Sequence, residues 1–435
     1  MRTSIINEGA KHLEYEIRQI VDYGYALRDQ FGIKMTWENI GDPVEMGEKI
    51  SPWIVDVVSG LVQNPRSWAY SPSRGVLAAR EYLADEVNRR GGTKVTPDDI
   101  LFTNGVADAV DKIYDIIRKD ARVLMQSPSY PTHSSNEAKR GDYELLQFQL
   151  DPNNDWQPDI EEIHNKIKYN PQVIALALVN PDNPTGMVYK RETLQAIADL
   201  ARRYGLFLIC DEIYVHLTYN GRGTMHLSEV LGDDIPALSF RGISKDYPWP
   251  GSRCGWIEML NRNSDPDFAV YCGALVNAKM MEVCSTTLPQ MSIPLVYGDP
   301  RFAEVKKTRA KQFEERGNEF YDFFKTIPAV TVTRTYGAFY FTVLFKDGML
   351  DDSQTLPIAD PECARFVAEK VKGFPPDKRF IYYMMASIGL CATPLSGFHT
   401  SLSGFRLTTL KPERERRMES LHKIRKAIED YTGVH

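Results

Sequence analysis

The sequence lacks the features that mark several large classes of protein. Its six cysteines are dispersed and form no C-x-x-C pair, which argues against a disulfide scaffold and favours reduced thiols in a cytosolic protein. Its eight histidines show no metal-ligand spacing. We interpret His133, His216 and His226 as core or surface residues rather than ligands, and we expect no bound metal.

Long apolar runs and an excess of positive charge are also missing. No stretch approaches the roughly 18 uninterrupted apolar residues of a membrane span, and the first thirty residues carry charges where a signal peptide has an apolar core. Because 58 acidic residues outnumber 52 lysines and arginines, the formal net charge is -6. Such a chain has no general attraction for nucleic acid or anionic membranes. We expect a cytoplasmic protein without either partner.

Apolar strands alternate with amphipathic helices between about residues 100 and 245. This alternation predicts an α/β fold, in which a large, mostly parallel sheet is covered by helices on both faces. Before it we expect a helix from Glu8 to about Gln30 and an extended segment, residues 32–44, that crosses the surface. Beyond Trp256 we expect helix to about Leu288, and again at residues 299–326.

The last third of the chain predicts a smaller α+β domain. Residues 330–345 alternate like antiparallel strands, CARFVAEKVK suggests a helix, residues 403–410 suggest another strand, and an amphipathic helix follows. We expect residues 1–50 to join this small domain, residues 51–320 to form the large domain, and residues 321–435 to complete the small one.

The stretch SFRGISKDYPWPGSRCGW, residues 239–256, holds a lysine in a restricted setting. Lys245 is followed by two prolines and a glycine, which limit the backbone, and by Arg253 eight positions later. Lysine is usually a solvated surface charge, and its amine becomes a nucleophile only when burial or a nearby cation favours the neutral form. The pattern indicates a lysine held for covalent chemistry, with Arg253 as a nearby cation or an anion ligand.

Other polar residues follow the predicted strands. The carboxyl ends of parallel strands meet at one edge of a sheet, where ligands collect. The residues placed there are Gly105, Tyr130, Asn183, Asp211 and Tyr214. The turn at Gly105 opens a helix, whose N-terminal amides favour a phosphate, although many such turns bind nothing. By themselves, Asn183 could be a turn residue and Asp211 a helix cap.

Taken together, these groups match the needs of a pyridoxal 5'-phosphate (PLP) site. Lys245 can form a Schiff base with the cofactor aldehyde, and a carboxylate such as Asp211 keeps the pyridine nitrogen protonated. Tyr214 and Asn183 are placed to hydrogen-bond the phenolic oxygen. The sequence therefore predicts PLP chemistry.

Seven segments extend this pattern over nearly the whole chain. In order they are WAYSPSRG, FTNGVADA, SPSYP, NPDNPTG, DEIY, SKDYPWPGSRCGW and GFRLTTL. This set resembles the fold-type I, class I/II PLP-dependent aminotransferases, and the resemblance implies the PLP-transferase fold type I with a large PLP-binding domain. It implies that Lys245, Asp211 and Tyr214 are catalytic, and that the cofactor is bound by Lys245, Ser244, Asn183, Asp211, Tyr214, Arg253, Tyr130, Gly105, Val106, Ala107 and Tyr70.

The resemblance also implies several individual roles. The amides of Val106 and Ala107 would bind the phosphate, and Tyr130 would stack on the cofactor ring. Tyr70 would reach the phosphate of the neighbouring subunit, which implies a homodimer with shared sites. Without the resemblance, Tyr70 could equally be a loop aromatic that covers the next helix.

Substrate binding is implied at the two ends of the chain. Arg406 in GFRLTTL would pair with the substrate α-carboxylate in a bidentate manner; its alternative is a surface arginine at a strand edge. Gly41 lies in a segment similar to the family's I-G-x-P and would contact the substrate together with Asn183. Two segments depart from the family pattern: Arg241 stands in place of an asparagine, and residues 394–398 read PLSGF. The resemblance therefore does not define the pocket for the substrate side chain.

These observations predict a transaminase with amino acid and 2-oxo acid substrates. It would move the amino group of an L-amino acid to a 2-oxo acid such as 2-oxoglutarate through a PLP Schiff base on Lys245. Alanine is the favoured donor, and aspartate or an aromatic amino acid is possible. A PLP-dependent lyase or decarboxylase on the same fold is the alternative. A regulator with this fold is disfavoured, because few residues precede Tyr70 and the chain is acidic.

Overall fold

The computed structural model describes residues 16–141 and 144–435. The predicted N-terminal helix is seen from Glu16 onward, and the part before it lies outside the described residues. The helices are α1 (Glu16–Phe31), α2 (Pro52–Val62), α3 (Leu77–Arg90), α4 (Val106–Ile116), α5 (Pro131–Arg140), α6 (Ile160–Lys168), α7 (Arg191–Tyr204), α8 (Ile243–Asp246), α9 (Pro266–Met280), α10 (Thr287–Tyr297), α11 (Arg301–Phe324), α12 (Pro361–Lys370), α13 (Pro376–Ile388) and α14 (Arg414–Thr432).

The strands alternate with these helices in the first half of the chain and cluster near its end. They are β1 (Thr36–Trp37), β2 (Ile100–Thr103), β3 (Arg122–Ser127), β4 (Gln147–Asp151), β5 (Gln157–Pro158), β6 (Val173–Val179), β7 (Phe207–Asp211), β8 (Ala237–Gly242), β9 (Gly255–Leu260), β10 (Val330–Val332), β11 (Tyr340–Phe345), β12 (Leu390–Cys391), β13 (Thr393–Pro394) and β14 (Gly404–Thr408).

In the described part of the chain, eight strands form one large sheet in the order β2-β9-β8-β7-β6-β3-β4-β5. The strands from β8 to β4 pair in parallel, as their near-continuous apolar sequences predict. Because β9 is antiparallel to both β2 and β8, β2 runs in the same direction as β8. The carboxyl ends of β2, β8, β7, β6 and β3 therefore share one edge, and the predicted large parallel sheet is confirmed.

The expectation of a helix directly after Trp256 is wrong for its first residues. The sequence GWIEML instead forms β9, every residue of which is buried. The helix that follows, α9, begins only where the Asp265 side chain accepts a hydrogen bond from the amide of Phe268, an N-terminal cap. A short apolar run of this kind fits a buried strand as well as a helix, and the gap between β2 and β8 selects the strand.

Both ends of the chain build the smaller domain. Its antiparallel sheet has the order β10-β11-β14-β13, and β1 pairs in parallel with β12. One apolar core contains Ile20 and Leu27 of α1 together with Phe341 and Ile424. This arrangement confirms a smaller α+β domain formed by the N- and C-terminal segments. The boundaries at residues 50 and 320 stay predictions; α11 crosses the second of them.

The segment after α1 does not simply cross the surface, as the sequence suggested. Glu38 and Asn39 are only 4% and 1% exposed. The amide of Glu38 donates to the carbonyl of Cys391 over 2.9 Å, and its carbonyl accepts from the amide of Thr408 over 2.8 Å. These bonds fix the segment to β12 and β14 of the small domain.

The structure was also searched for membrane-spanning helices, metal-binding groups and disulfides. Of the helices in residues 16–141 and 144–435, none is long and apolar enough to cross a membrane. The same residues contain no group of three histidine, cysteine or acidic side chains that could hold a metal ion. All six cysteines are free, and all but Cys284 are buried.

The two domains share α11, and the small-domain end of this helix offers a stability test. Phe324 is 0% exposed and stacks on Phe341 with ring centroids 5.9 Å apart. We expect Phe324→Ala to lower the free energy of unfolding by about 3 to 5 kcal/mol, because the cavity cannot collapse completely. Denaturant titration should show this loss. The control, Lys311→Ala on the exposed side of α11, should change the free energy of unfolding by less than about 0.5 kcal/mol. Equal losses in the two variants would contradict the assigned core.

Candidate active site

The candidate site lies where the carboxyl ends of the parallel strands meet. Asp211 is the last residue of β7. After β8 the chain turns directly into α8, which carries Ser244 and Lys245. Asn183 lies in the loop that follows β6, and Gly105 caps α4 immediately after β2. Residues that are far apart in sequence are thus brought to one edge by the sheet.

Lys245 is held beneath the N-terminal segment. Its Nζ donates a hydrogen bond to the carbonyl oxygen of Gly41 over 2.6 Å. Burial lowers the pKa of the amine to about 8, and the positive charges of Arg253 and Arg406 act in the same direction, while the carboxylate of Asp42 opposes them. The amine therefore becomes neutral at a lower pH than a solvated lysine does, as a nucleophilic lysine requires.

Arg406 is a buried cation on β14, not a surface residue at a strand edge. It is 2% exposed, and its Nη1 donates to Oδ1 of Asn183 over 3.0 Å. Its Nη2 donates to the carbonyl of Asn39 and to Oγ1 of Thr393. Its Nε is buried and has no hydrogen-bond partner within the described residues. These three bonds use three of the five N–H donors of the guanidinium, so Nε and the second N–H of Nη1 are not engaged by them.

Asp211 has a partner that sequence reasoning missed. Its Oδ2 lies 3.3 Å from Nε2 of His133, and its Oδ1 accepts from the amide of Ile213 over 3.0 Å. His133 is buried and stacks on Phe240. The histidine was interpreted as a core or surface residue, and it is buried; its position in the first turn of α5, after SPSYP, was the available signal that it faces the site.

Tyr340, the first residue of β11, and Phe339 directly before it also join the site. Tyr340 Oη lies 2.8 Å from Tyr214 Oη, and the ring of Phe339 lies 5.7 Å from Lys245 Nζ. Burial raises the pKa of Tyr214, and nearby Tyr340 and Tyr130 add to the shift. Tyr214 is therefore a neutral hydroxyl, which can donate a hydrogen bond.

The predicted binding site for the cofactor phosphate is built around Gly105. This residue has a φ of +86°, and a Cβ at this position would lie 2.5 Å from Nη2 of Arg253. That nitrogen donates to the carbonyl of Asn104 over 3.3 Å. Helix α4 begins with Val106 and Ala107, so its free amides lie beside the guanidinium. Both groups favour an anion at this point.

Tyr70 is the one predicted site residue that stands apart. It is 84% exposed. Its loop is tied to the rest of the large domain through Ala69, whose carbonyl accepts from Thr287 Oγ1 over 2.8 Å. The neighbouring Thr286 contacts the carbonyl of Arg253 over 3.4 Å. The structure thus brings the other predicted residues together and leaves Tyr70 on the surface.

A buried charge cluster surrounds the departure at Arg241. His216 links Arg241 to Asp246. Nε2 of the histidine lies 3.2 Å from Nη2 of Arg241, and its Nδ1 lies 2.9 Å from Oδ2 of Asp246. Tyr297 donates to the same carboxylate over 2.6 Å. Although burial alone would raise the pKa of Asp246, attraction to His216 and Arg241 keeps it below its ordinary value. The unusual arginine is therefore compensated by the acid that directly follows Lys245.

The second departure, PLSGF, also reaches the site. The ring of Phe398 lies 5.3 Å from the Arg406 guanidinium, and Tyr340 lies 4.5 Å from it. This departure therefore contacts Arg406, the residue that the resemblance assigns to the substrate carboxylate. A cation between two aromatic rings is held in place by its packing as well as its hydrogen bonds.

These features define a PLP-dependent aminotransferase. The family model "Aminotransferase class I and II" matches residues 41–418, and the chain belongs to this family. The resemblance inferred from the seven segments is thereby confirmed, and with it the dependence on PLP.

Relatives and solved structures agree with this assignment. An uncharacterized aminotransferase of Methanocaldococcus jannaschii is 46% identical over 416 residues, which are 96% of each chain. The glutamate-pyruvate aminotransferase AlaA of Haemophilus influenzae is 28% identical over 78% of this chain and 82% of its own. The alanine aminotransferase of Pyrococcus furiosus superposes with a TM-score of 0.82 at 25% identity, covering 98% of this chain and 99% of its own.

The residues present fit the cofactor. Because Gly105 has no Cβ, the guanidinium of Arg253 packs directly against the start of α4, and this cation together with the helix amides suits a phosphate. At the other end, the buried carboxylate of Asp211 is held by a histidine and a backbone amide. The amine of Lys245 lies at the same edge of the sheet, with a lowered pKa. A phosphate ligand, an acid for the pyridine nitrogen and a reactive amine are thus all provided.

The lowered pKa of Lys245 predicts its reactivity in the apoprotein. Acylation of this amine by a small reagent, followed by peptide mass spectrometry, should show a midpoint near pH 8, whereas a free lysine titrates near ~10.4. Asp42→Asn should lower the midpoint, because it removes a negative charge while its side-chain oxygen can still accept from the amides of Val44 and Glu45. Arg406→Gln should raise it. A midpoint near 10 in the wild type would contradict the described burial.

Proposed function

We propose that this protein transfers the amino group of an L-amino acid to a 2-oxo acid, with Lys245 as the covalent anchor of the cofactor. The observation that carries the proposal is that the side chains of Lys245 and Arg406 both bind backbone carbonyls of one short segment. Lys245 binds the carbonyl of Gly41, and Arg406 binds that of Asn39. Two residues of chain span at most about 7 Å. A carboxylate on Arg406 would thus place the adjoining α-carbon near the lysine amine.

The proposed roles follow from the chemistry of each group. When bound, PLP supplies an aldehyde for the lysine and an electron-accepting ring. Arg406 and Asn183 bind and orient the substrate carboxylate, with a backbone contact from Gly41. The neutral amine of Lys245 takes the proton from the substrate α-carbon as a general base and returns it as a general acid. Asp211 holds a proton at the pyridine nitrogen.

The remaining predicted residues hold the cofactor. Tyr214 and Asn183 donate hydrogen bonds to its phenolic oxygen, and Tyr130 stacks on its ring. Its phosphate binds to a set of backbone and side-chain donors: Gly105, Val106, Ala107, Ser244 and Arg253. Since these groups fix the position of the ring, the proton transfer at Lys245 occurs in one defined geometry.

A homodimer is part of this proposal. Tyr70 is exposed in the single chain, and Trp68 beside it is 77% exposed, which is unusual for large aromatic residues. In a dimer they would be covered, and Tyr70 would complete the phosphate site of the partner. We also propose a cytoplasmic location, for which the free thiols are the supporting observation.

Alanine is the proposed donor and 2-oxoglutarate the proposed acceptor. Two relatives carry the names glutamate-pyruvate aminotransferase and alanine aminotransferase. Their identities of 28% and 27% leave aspartate and aromatic amino acids as alternative donors. A panel of donors and acceptors on the purified enzyme distinguishes them.

The test combines this panel with Lys245→Ala. The wild type should convert alanine only when a 2-oxo acid is present, because the amino group must be accepted before the next cycle. The variant should lose at least about a thousandfold in kcat, since it lacks the acid-base and covalent group. As a control, Lys49→Ala removes an exposed lysine and should leave kcat unchanged. Turnover without any acceptor would indicate a lyase or decarboxylase instead.

A further inference from the structure

Tyr340 contacts three of the residues that the proposed reaction uses. It is the first residue of β11 and is 3% exposed. Its hydroxyl lies 2.8 Å from that of Tyr214, and its ring lies 4.5 Å from the guanidinium carbon of Arg406. A Cβ on Gly41 would lie 2.5 Å from its hydroxyl oxygen. None of the seven segments that carry the family resemblance contains this tyrosine.

The contact with Tyr214 is directional. A single hydrogen bond joins the two hydroxyls, so one donates and the other accepts. If Tyr340 donates, the proton of Tyr214 is free for the cofactor's phenolic oxygen. Hydrogen bonds in a chain polarise one another, so with Tyr340 as the donor Tyr214 becomes a stronger donor itself.

The contact with Arg406 is made by the ring rather than the hydroxyl. The guanidinium lies over the aromatic face of Tyr340 while its nitrogens bind Asn183 and Asn39. Such a stack restricts the orientation of the fork that binds a carboxylate. The ring and the hydroxyl of one side chain therefore act on two different site residues.

The contact with Gly41 connects these effects to the N-terminal segment. Because Tyr340 occupies the space where a side chain at position 41 would lie, the backbone there can approach the site closely. The carbonyl of the same glycine accepts the bond from Lys245. Tyr340 thus lies where the predicted cofactor site, the carboxylate-binding arginine and the N-terminal segment meet.

We propose that Tyr340 is a positioning residue with two separable functions: its hydroxyl orients Tyr214 toward the cofactor, and its ring orients Arg406 toward the substrate carboxylate. The proposal rests on the proposed function of these two residues. It predicts that two substitutions at position 340 have different effects. Loss of the hydroxyl alone changes the titration of the cofactor, and loss of the ring also weakens substrate binding.

The first test is a pH titration of the visible absorbance of the holoenzyme. Tyr340→Phe keeps the ring and removes the hydroxyl, so Tyr214 should donate more weakly and the lysine-linked nitrogen should hold its proton to a higher pH. We expect an upward shift of the midpoint by about half to one pH unit, with KM for the amino acid unchanged. Tyr219→Phe is the matched control, because it removes another buried hydroxyl, bonded to Gly337 and Thr335.

The second test is the KM of Tyr340→Leu, which removes the ring as well. We expect KM for the amino acid to rise by about threefold to thirtyfold, the range of a lost cation–π contact. If this variant folds poorly, Tyr340→Phe still tests the proposal. A wild-type midpoint in Tyr340→Phe, or an equal shift in Tyr219→Phe, would overturn it.

A third variant, Tyr214→Phe, shows whether a negative result concerns only Tyr340 or also the proposed function of the site. If Tyr214→Phe shifts the midpoint and Tyr340→Phe does not, the site stands and the role of Tyr340 is wrong. If neither variant changes the titration, the proposed role of Tyr214 also fails. In the apoprotein, melting of both single variants and the double variant should show coupling, because either substitution alone breaks the same bond; additive shifts in Tm would contradict the pair.

Discussion

The hydrogen bond between Lys245 and the carbonyl of Gly41 joins the two halves of the site. The lysine comes from the carboxyl edge of the large sheet, and the glycine comes from a segment that the small domain holds. A buried amine needs a partner, because an unpaired one loses its hydration without compensation. The bond supplies an acceptor without a full negative charge, so the pKa of the amine stays low enough for reaction.

The surrounding structure supports this bond from both sides. Arg309 on α11 donates to the carbonyls of Lys245 and Asp246 over 2.6 and 2.7 Å, and it also pairs with Glu48 of the N-terminal segment. It therefore holds the lysine backbone and the segment above it together. Removing one member of a buried pair leaves the other without compensation, which explains why the site depends on residues that do not face a ligand.

The fold and most of the candidate site could be predicted because they follow local rules. Apolar runs such as LFLIC predict buried parallel strands, and such strands carry their polar residues to one edge. Gly105, Asn183, Asp211 and Lys245 all lie there as a result. The strand GWIEML was missed, because a short apolar run does not distinguish strand from helix until its neighbours are known.

Other features depend on tertiary contacts that no local pattern encodes. His133 and Tyr340 reach the site only because α5 and β11 pack beside it, and either could have been an ordinary core aromatic. The burial of Arg241 depends on the carboxylates of Glu258 and Asp246, 3.6 and 3.7 Å away, and on His216. Sequence reasoning finds such residues when a family motif includes them and misses them otherwise.

The covalent role of Lys245 is tested most directly by locating the cofactor on the chain. Purified holoenzyme is reduced with borohydride, digested and analysed by mass spectrometry. We predict that the cofactor's added mass is found on the peptide that contains Lys245 and is lost when the enzyme is first incubated with an amino acid that it accepts as donor, because the donor displaces the lysine. Added mass on another lysine, or none on this peptide, would contradict the assignment.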